Sequence, residues 1–393
     1  MNITAILTAK HTRNAKDISA QFLNRTEGLK LPFMFFFGFL LLPFTIFGQV
    51  SLSGVSDTMA VFTADNSGEN FIESVILEAY ANLRLQARTK GGAVFYAAFN
   101  VTAMSGANAQ AAVSQGLTVK GENYAAMMEL ERLYVRLNGD YAKLDLGLMR
   151  LAFGYDTVFG PSDYFNPKNP LQPNARGRAI LGATVSAYPS DSFKLQAFAV
   201  APKDPLKADG SGSQFGASFD KYWEWLRLQG LYAFENTGQF GVHRVGMSVK
   251  ADIEVGLVAD CLYTINPEDL SGVEGFSASV GTDYSLIDGD LYLLAAYLFN
   301  GAYSVTMFSF EENPLGYIGR HNVYALARYN FSEFTNISGG CMVAITDEET
   351  SLTPILGFSH DVLQGFTITL QAQAPIRQEF EQIAFTALAR LKF

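Results

Sequence analysis

From Leu77 to Arg88 the chain reads LEAYANLRLQAR, in which Leu77, Ala79, Ala81, Leu83, Leu85 and Ala87 alternate with Glu78, Tyr80, Asn82, Arg84, Gln86 and Arg88. A period of two places the two sets on opposite faces of a strand. The same alternation returns at Lys194 to Ala197, at Ile253, Val255, Leu257, Ala259, Cys261 and Tyr263, and at Leu291, Leu293, Ala295, Tyr297 and Phe299. It closes the chain at Ile383, Phe385, Ala387, Ala389, Leu391 and Phe393. No helical pattern of comparable strength separates these runs.

The connections decide between a soluble sandwich and a membrane barrel. Thr89-Lys-Gly-Gly, Asn138-Gly-Asp, Pro189-Ser-Asp, Ile287-Asp-Gly-Asp and Ser332-Glu-Phe read as tight turns, and longer polar segments lie between them. Short turns on one side and long loops on the other mark a strand-built membrane protein. Strands placed near 50–63, 74–88, 92–104, 124–138, 141–152, 179–188, 192–201, 212–220, 222–235, 240–250, 252–264, 275–286, 290–300, 320–331, 335–345, 352–361, 365–374 and 383–393 make every second connection short. The expected fold is all-β, a transmembrane antiparallel β-barrel of about 18 strands. The strands at 50–63 and 212–220 are the weakest, which leaves a range of 14–18.

With tight turns on the periplasmic side, outward-facing Tyr263, Tyr297 and Phe299 fall near upper strand ends. Tyr329, Phe393, Phe193 and Phe366 fall near lower ends. Aromatic rings at both membrane interfaces are expected of such a barrel.

Composition agrees. The 393 residues are 49% hydrophobic and 17% charged, with 32 Phe and 18 Tyr, and mean hydropathy is +0.11. That is too low for a bundle of membrane-spanning helices, and only Leu31 to Phe47, LPFMFFFGFLLLPFTIF, is a long apolar run. Following Lys30 and ending at Gly48, it reads as a secretory signal peptide over 1–48, with the barrel over 49–393. The alternative, a signal anchor on a soluble domain, needs a run that spans more comfortably. No Cys follows the run, so it is not a lipoprotein signal. The polar 28 residues before Leu29 are long for such a leader. Initiation at Leu29, from a UUG codon, would give an ordinary signal length. Removing 1–48 leaves the mature chain at net −13, which disfavours nucleic acid as partner. Cys261 and Cys341 have no metal-ligand spacing and fall on outward positions.

The final strand, IAFTALARLKF, resembles the closing strand of bacterial outer-membrane barrels. That resemblance implies that Ile383, Phe385, Leu391 and Phe393 are read by the barrel-insertion machinery. It also implies residence in the outer-membrane lipid and passage of small solutes through a porin or uptake channel.

The densest candidate for chemistry is Phe153 to Arg178, FGYDTVFGPSDYFNPKNPLQPNARGR, whose prolines exclude a ladder strand. It joins the fifth and sixth expected strands as the third outer loop. In the general porins, which the architecture resembles, that loop folds inward and narrows the pore. The resemblance makes Tyr155, Asp156, Asp163, Lys168, Arg176 and Arg178 candidates for a constriction. A surface loop packed on its own aromatics is the competing reading. Alternation adds Arg84, Arg88, Lys143 and Asp145 as pore or solute contacts, together with lumen-facing Glu78, Arg132, Arg136, Lys194, Lys250, Glu254, Asp260, Arg328 and Arg390. Both signs are present, so side chains alone point to no strong ion selectivity.

No cofactor or metal is implied. An enzyme is not expected, because His243, His321 and His360 form no recognisable triad spacing. Two other readings stand: a plugged, fatty-acid-transporter-like barrel in which Gln49 to Ser74 threads the lumen, and a surface adhesin. Small outward residues, Ala325, Ala327, Ala387 and Ala389, would admit a homo-oligomer.

Overall fold

The computed structural model describes residues 49–65, 74–106, 109, 117–171, 177–202, 210–265, 275–301, 319–347, 349–376 and 382–393. The signal-peptide expectation and Arg176 lie outside the described residues. Residues 49–51 and 87–92 form a small unit of their own, and the barrel below is built from 52–86 and 93–393.

The strands are β1 (Gln49–Asp65), β2 (Ser74–Arg88), β3 (Val94–Ser105), β4 (Leu117–Lys120), β5 (Tyr124–Asn138), β6 (Ala142–Met149), β7 (Ile180–Ser190), β8 (Phe193–Val200), β9 (Gln214–Tyr222) and β10 (Leu226–Asn236). They continue as β11 (Gly241–Asp252), β12 (Gly256–Ile265), β13 (Phe276–Leu286), β14 (Leu291–Asn300), β15 (His321–Ser332), β16 (Thr335–Ile345), β17 (Thr350–Leu363), β18 (Phe366–Gln373) and β19 (Gln382–Lys392). Eighteen of these form the wall. The short β4 only extends the upper edge of β5, pairing Leu117 with Met128 and Lys120 with Ala125. Both weak strands of the sequence reading, 50–63 and 212–220, are present as β1 and β9.

Each wall strand pairs antiparallel with its sequence neighbour, and β1 closes the ring on β19, with Asp57 opposite Arg390 and Ala60 opposite Ala387. Closure satisfies every edge, as hydrocarbon demands. Gly54 is required at the seam. Its N–H donates to the Phe393 carbonyl at 2.7 Å, and a Cβ there would collide with the Phe393 ring.

The lower connections within the barrel are all short: 139–141, 191–192, 223–225, 253–255, 287–290, 333–334 and 364–365. The upper side is mixed. Long segments dominate, but 237–240 and 346–349 are tight as well, so the short-turn rule constrains one side only.

Burial is inside out relative to a soluble protein. Leu146, Val185, Phe215, Phe219, Val245, Val280, Leu356 and Leu370 are exposed on the outer face, while Asp57, Asn82, Asn100, Glu131, Asp145, Asp220 and Asp260 are buried within. In β12, Leu257, Ala259, Cys261 and Tyr263 look out and Asp260 and Leu262 look in. Lipid outside and a polar interior produce this arrangement. Cys261 and Cys341 are free thiols on the outer face.

Candidate functional site: the channel constriction

The described residues 150–171 leave β6, enter the barrel and cross it, and 177–179 lead into β7. At its root, Met149, Leu151, Phe153 and Phe165 pack with Phe198 and Val200 of β8 and Leu231 and Ala233 of β10. Farther on, Val158 and Phe159 lie against an apolar inner surface made by Leu298 of β14, Tyr324 of β15, Met342 of β16 and Ile355 of β17.

Between these apolar ends runs a row of polar anchors. Asp220, Gln229, Ser248, Asp260 and Ser279 are directly opposed, each to the next, across β9 to β13. All five bind the loop. The Tyr155 hydroxyl donates to Asp220 at 3.3 Å, Gly154 N–H to the Gln229 amide oxygen at 2.5 Å, and Tyr155 N–H to Ser248 Oγ at 2.9 Å. Ser162 donates to both Asp260 oxygens, from N–H at 3.0 Å and from Oγ at 2.9 Å. Ser279 Oγ donates to Asp156 at 2.5 Å. Gly154 has a positive φ of 76°, and any Cβ there would strike Asp260 and Ser162. A loop with so many buried partners is held as firmly as the wall.

This placement bears on the loop candidates. Asp156 is fully buried, and its other oxygen accepts the N–H groups of Val158 and Phe159. Asp163 is also buried and accepts from Asn166 at 3.1 Å, with Lys168 3.9 Å away. Burial raises its pKa above the ordinary carboxylate value despite those partners. The Lys168 ammonium donates to the Asp156 carbonyl, and Arg178 is exposed where the loop rejoins the wall.

The opposite wall, β2 to β6 with the seam of β1 and β19, faces the loop with cations. A β-bulge between β3 and β5 pairs Ala98 with Arg132 and Phe99 with Leu130, leaving Glu131 as the extra residue. The bulge turns both Glu131 and Arg132 inward. Glu131, 7% exposed, accepts from Arg132 at 3.0 Å, from Arg150 at 2.5 Å and from the Asn82 amide. Arg84 donates to Asn82 Oδ1 at 2.5 Å, and Asn82 and Tyr80 both donate to Asn100 Oδ1 at 2.7 Å. Glu131 thus pairs with two guanidinium groups directly and, through Asn82, stands next to a third. Burial lowers the Arg150 pKa, and the charges of Arg132 and Arg84 act in the same direction.

Below this cluster the cations continue. Arg132 lies over the Tyr96 ring at 5.4 Å, Tyr96 stacks on Tyr134 at 5.2 Å, and Arg136 lies over Tyr134 at 5.5 Å. Arg136 and Lys143 share Asp145, at 2.7 and 3.2 Å, and Arg390 pairs with Asp57 at 2.8 Å. Arg88 belongs to the small separate unit and is exposed there. Sequence alternation found Arg84, Arg132, Arg136, Lys143, Asp145 and Arg390. It missed Glu131, whose parity the bulge reverses, and Arg150, which lies one residue beyond β6.

No family model and no curated protein matches this sequence. Solved structures do match in fold. OccAB4 of Acinetobacter baumannii superposes with a TM-score of 0.56 at 10% identity, covering 88% of this chain and 98% of that one. The outer membrane protein opdK of Pseudomonas aeruginosa gives 0.57 at 10% identity, with 88% and 99% covered, and OprD of the same organism 0.56 at 10%, with 87% and 95%. The chain has the fold of a bacterial outer-membrane β-barrel of the porin type, with 18 wall strands and an inserted third loop.

Proposed function

We propose that this protein is a passive outer-membrane channel for small solutes, narrowed by the 150–179 loop and selective for anions, carboxylates foremost. The observation that carries this reading is an asymmetry of charge. On the loop side, Asp156, Asp220 and Asp260 are buried under hydrogen bonds with the loop or its anchors. On the facing side, Arg132 and Arg150 share one carboxylate, Glu131, Arg84 is held beside them by the Asn82 amide oxygen, and Arg136 and Lys143 share Asp145. The acids are spent in structure and the surplus positive charge faces the lumen. A guanidinium pair presents forked donors that match a carboxylate. Selectivity in such a pore follows the sign of the lining charge.

The test is the reversal potential across a planar bilayer under a salt gradient, with protein purified from outer membranes. Anion-selective ohmic steps support the reading. Cation selectivity, or silence from well-folded barrel, overturns it. The plugged-transporter alternative loses its main support because β1 is a wall strand paired with β19 over Val55 to Asp65. The terminal strand keeps its proposed role in insertion: Phe385, Leu391 and Phe393 are exposed outward and Ile383 shares their face.

A further inference from the structure

The outer surface carries one arrangement twice. In β10 and β11, Phe234 is opposite His243 and Tyr232 opposite Val245. In β14 and β15, Phe299 is opposite His321 and Tyr297 opposite Val323. The Tyr232 hydroxyl is 2.9 Å from His243 Nδ1, and the Tyr297 hydroxyl 2.7 Å from His321 Nδ1. Each imidazole also lies against the phenylalanine, with ring centroids 5.2 and 5.5 Å apart.

Both histidines sit at the loop-side end of the wall. His243 is opposite Ile265, the last residue of β12, and His321 opposite Ile345, the last of β16. Outward-facing Tyr263, Phe276 and Phe299 lie between them, the last two 6.3 Å apart, and continue an aromatic belt at this level. Such a belt marks the headgroup zone. In the tautomer whose Nδ1 accepts from the tyrosine hydroxyl, the imidazole proton resides on Nε2. Among the described residues neither Nε2 has a hydrogen-bond partner, so in that tautomer each triad offers an N–H donor at this level of the outer surface. A belt alone needs aromatic rings, and these two sites add an oriented donor.

We propose that the two Tyr-Phe-His triads are binding sites for the phosphate of outer-leaflet lipid headgroups, one headgroup per triad. The phosphate accepts from Nε2–H, a charge-assisted bond strengthened in the low-dielectric interface. Four strand steps at about 4.8 Å each separate the triads, too far for a single phosphate to bridge. This inference needs only the barrel and its membrane, and is independent of what passes through the lumen.

The test uses full-chain protein taken from outer membranes and reconstituted in phosphatidylcholine vesicles containing lipid A either with or without its phosphates. Native mass spectrometry reads the lipid retained, beside a double variant, His243→Phe with His321→Phe, which keeps the belt aromatic. The wild type is expected to prefer the phosphorylated form, and the variant to lose roughly tenfold of that preference, the scale of one charge-assisted hydrogen bond. Equal retention of both lipids, or an unchanged preference in the variant, overturns the proposal. Nitrogen-15 NMR of the wild-type histidines needs no variant. A shift of Nε2 with phosphorylated lipid supports the sites, no shift overturns them, and the same shift with inorganic phosphate alone overturns the assignment to lipid.

Discussion

The two halves of the inner wall use the same residue types for different ends. On β9 to β13, aspartate, glutamine and serine at directly opposed positions receive a folded loop, each hydrogen-bonding to it, and Asp220 is paired besides with Lys194 of the wall at 3.5 Å. On β2 to β6, a single buried carboxylate pairs with Arg132 and Arg150 and, through Asn82, stands beside Arg84, so three cations are gathered around one anion. Charge in a lumen becomes function only where structure does not exhaust it. Counting charges along the strands, which finds both signs, misses that division.

The largest expected effect breaks the open side. Replacing Arg84, Arg132 and Arg150 together by alanine should abolish anion selectivity, because Glu131 and Asp145 then balance the remaining Arg136 and Lys143; reversal potentials read this directly. Removing Gly160 to Asn174 attacks the other side, and single-channel conductance should rise severalfold while the sign of selectivity is retained. An unchanged conductance would deny the loop its constricting role.

Salt separates the two halves without mutation. Anion preference should weaken as ionic strength rises from 0.1 to 1 M, where the Debye length falls from about 10 to about 3 Å. Loop attachment rests on buried hydrogen bonds, so conductance scaled to bulk conductivity should show no stepwise opening over that range. A smaller effect is expected of Asp260→Asn. It keeps one acceptor for Ser162 and costs about 1 kcal/mol of loop attachment, visible as brief excursions to a larger conductance. The smallest is Tyr96→Leu, which removes the stack between Arg132 and Tyr134. It should loosen Arg132 by about 1 kcal/mol and reduce selectivity slightly without reversing it.

Much of the wall was legible because its rules are local. Alternation in LEAYANLRLQAR fixes which face of β2 carries Asn82 and Arg84, and the turns at 139–141 and 287–290 set where strands reverse. Closure of β1 on β19 follows from an even strand count with both ends on one side. The site was legible only in part. Arg132 and Arg136 follow from parity, but Glu131 does not, since one inserted residue reverses the parity above it and nothing in ELERLYVR marks the insertion.

The sequence by itself determined a barrel, its strands, its faces and the loop unable to join the ladder. The tertiary structure alone decided that Asp220, Gln229, Ser248, Asp260 and Ser279 stand in one row, because register between strands distant in the chain sums over every intervening turn. It alone decided that the loop lies on that row and leaves the arginines uncovered, because the direction a loop takes depends on partners nearly a hundred residues away, as Ser162 and Asp260 show.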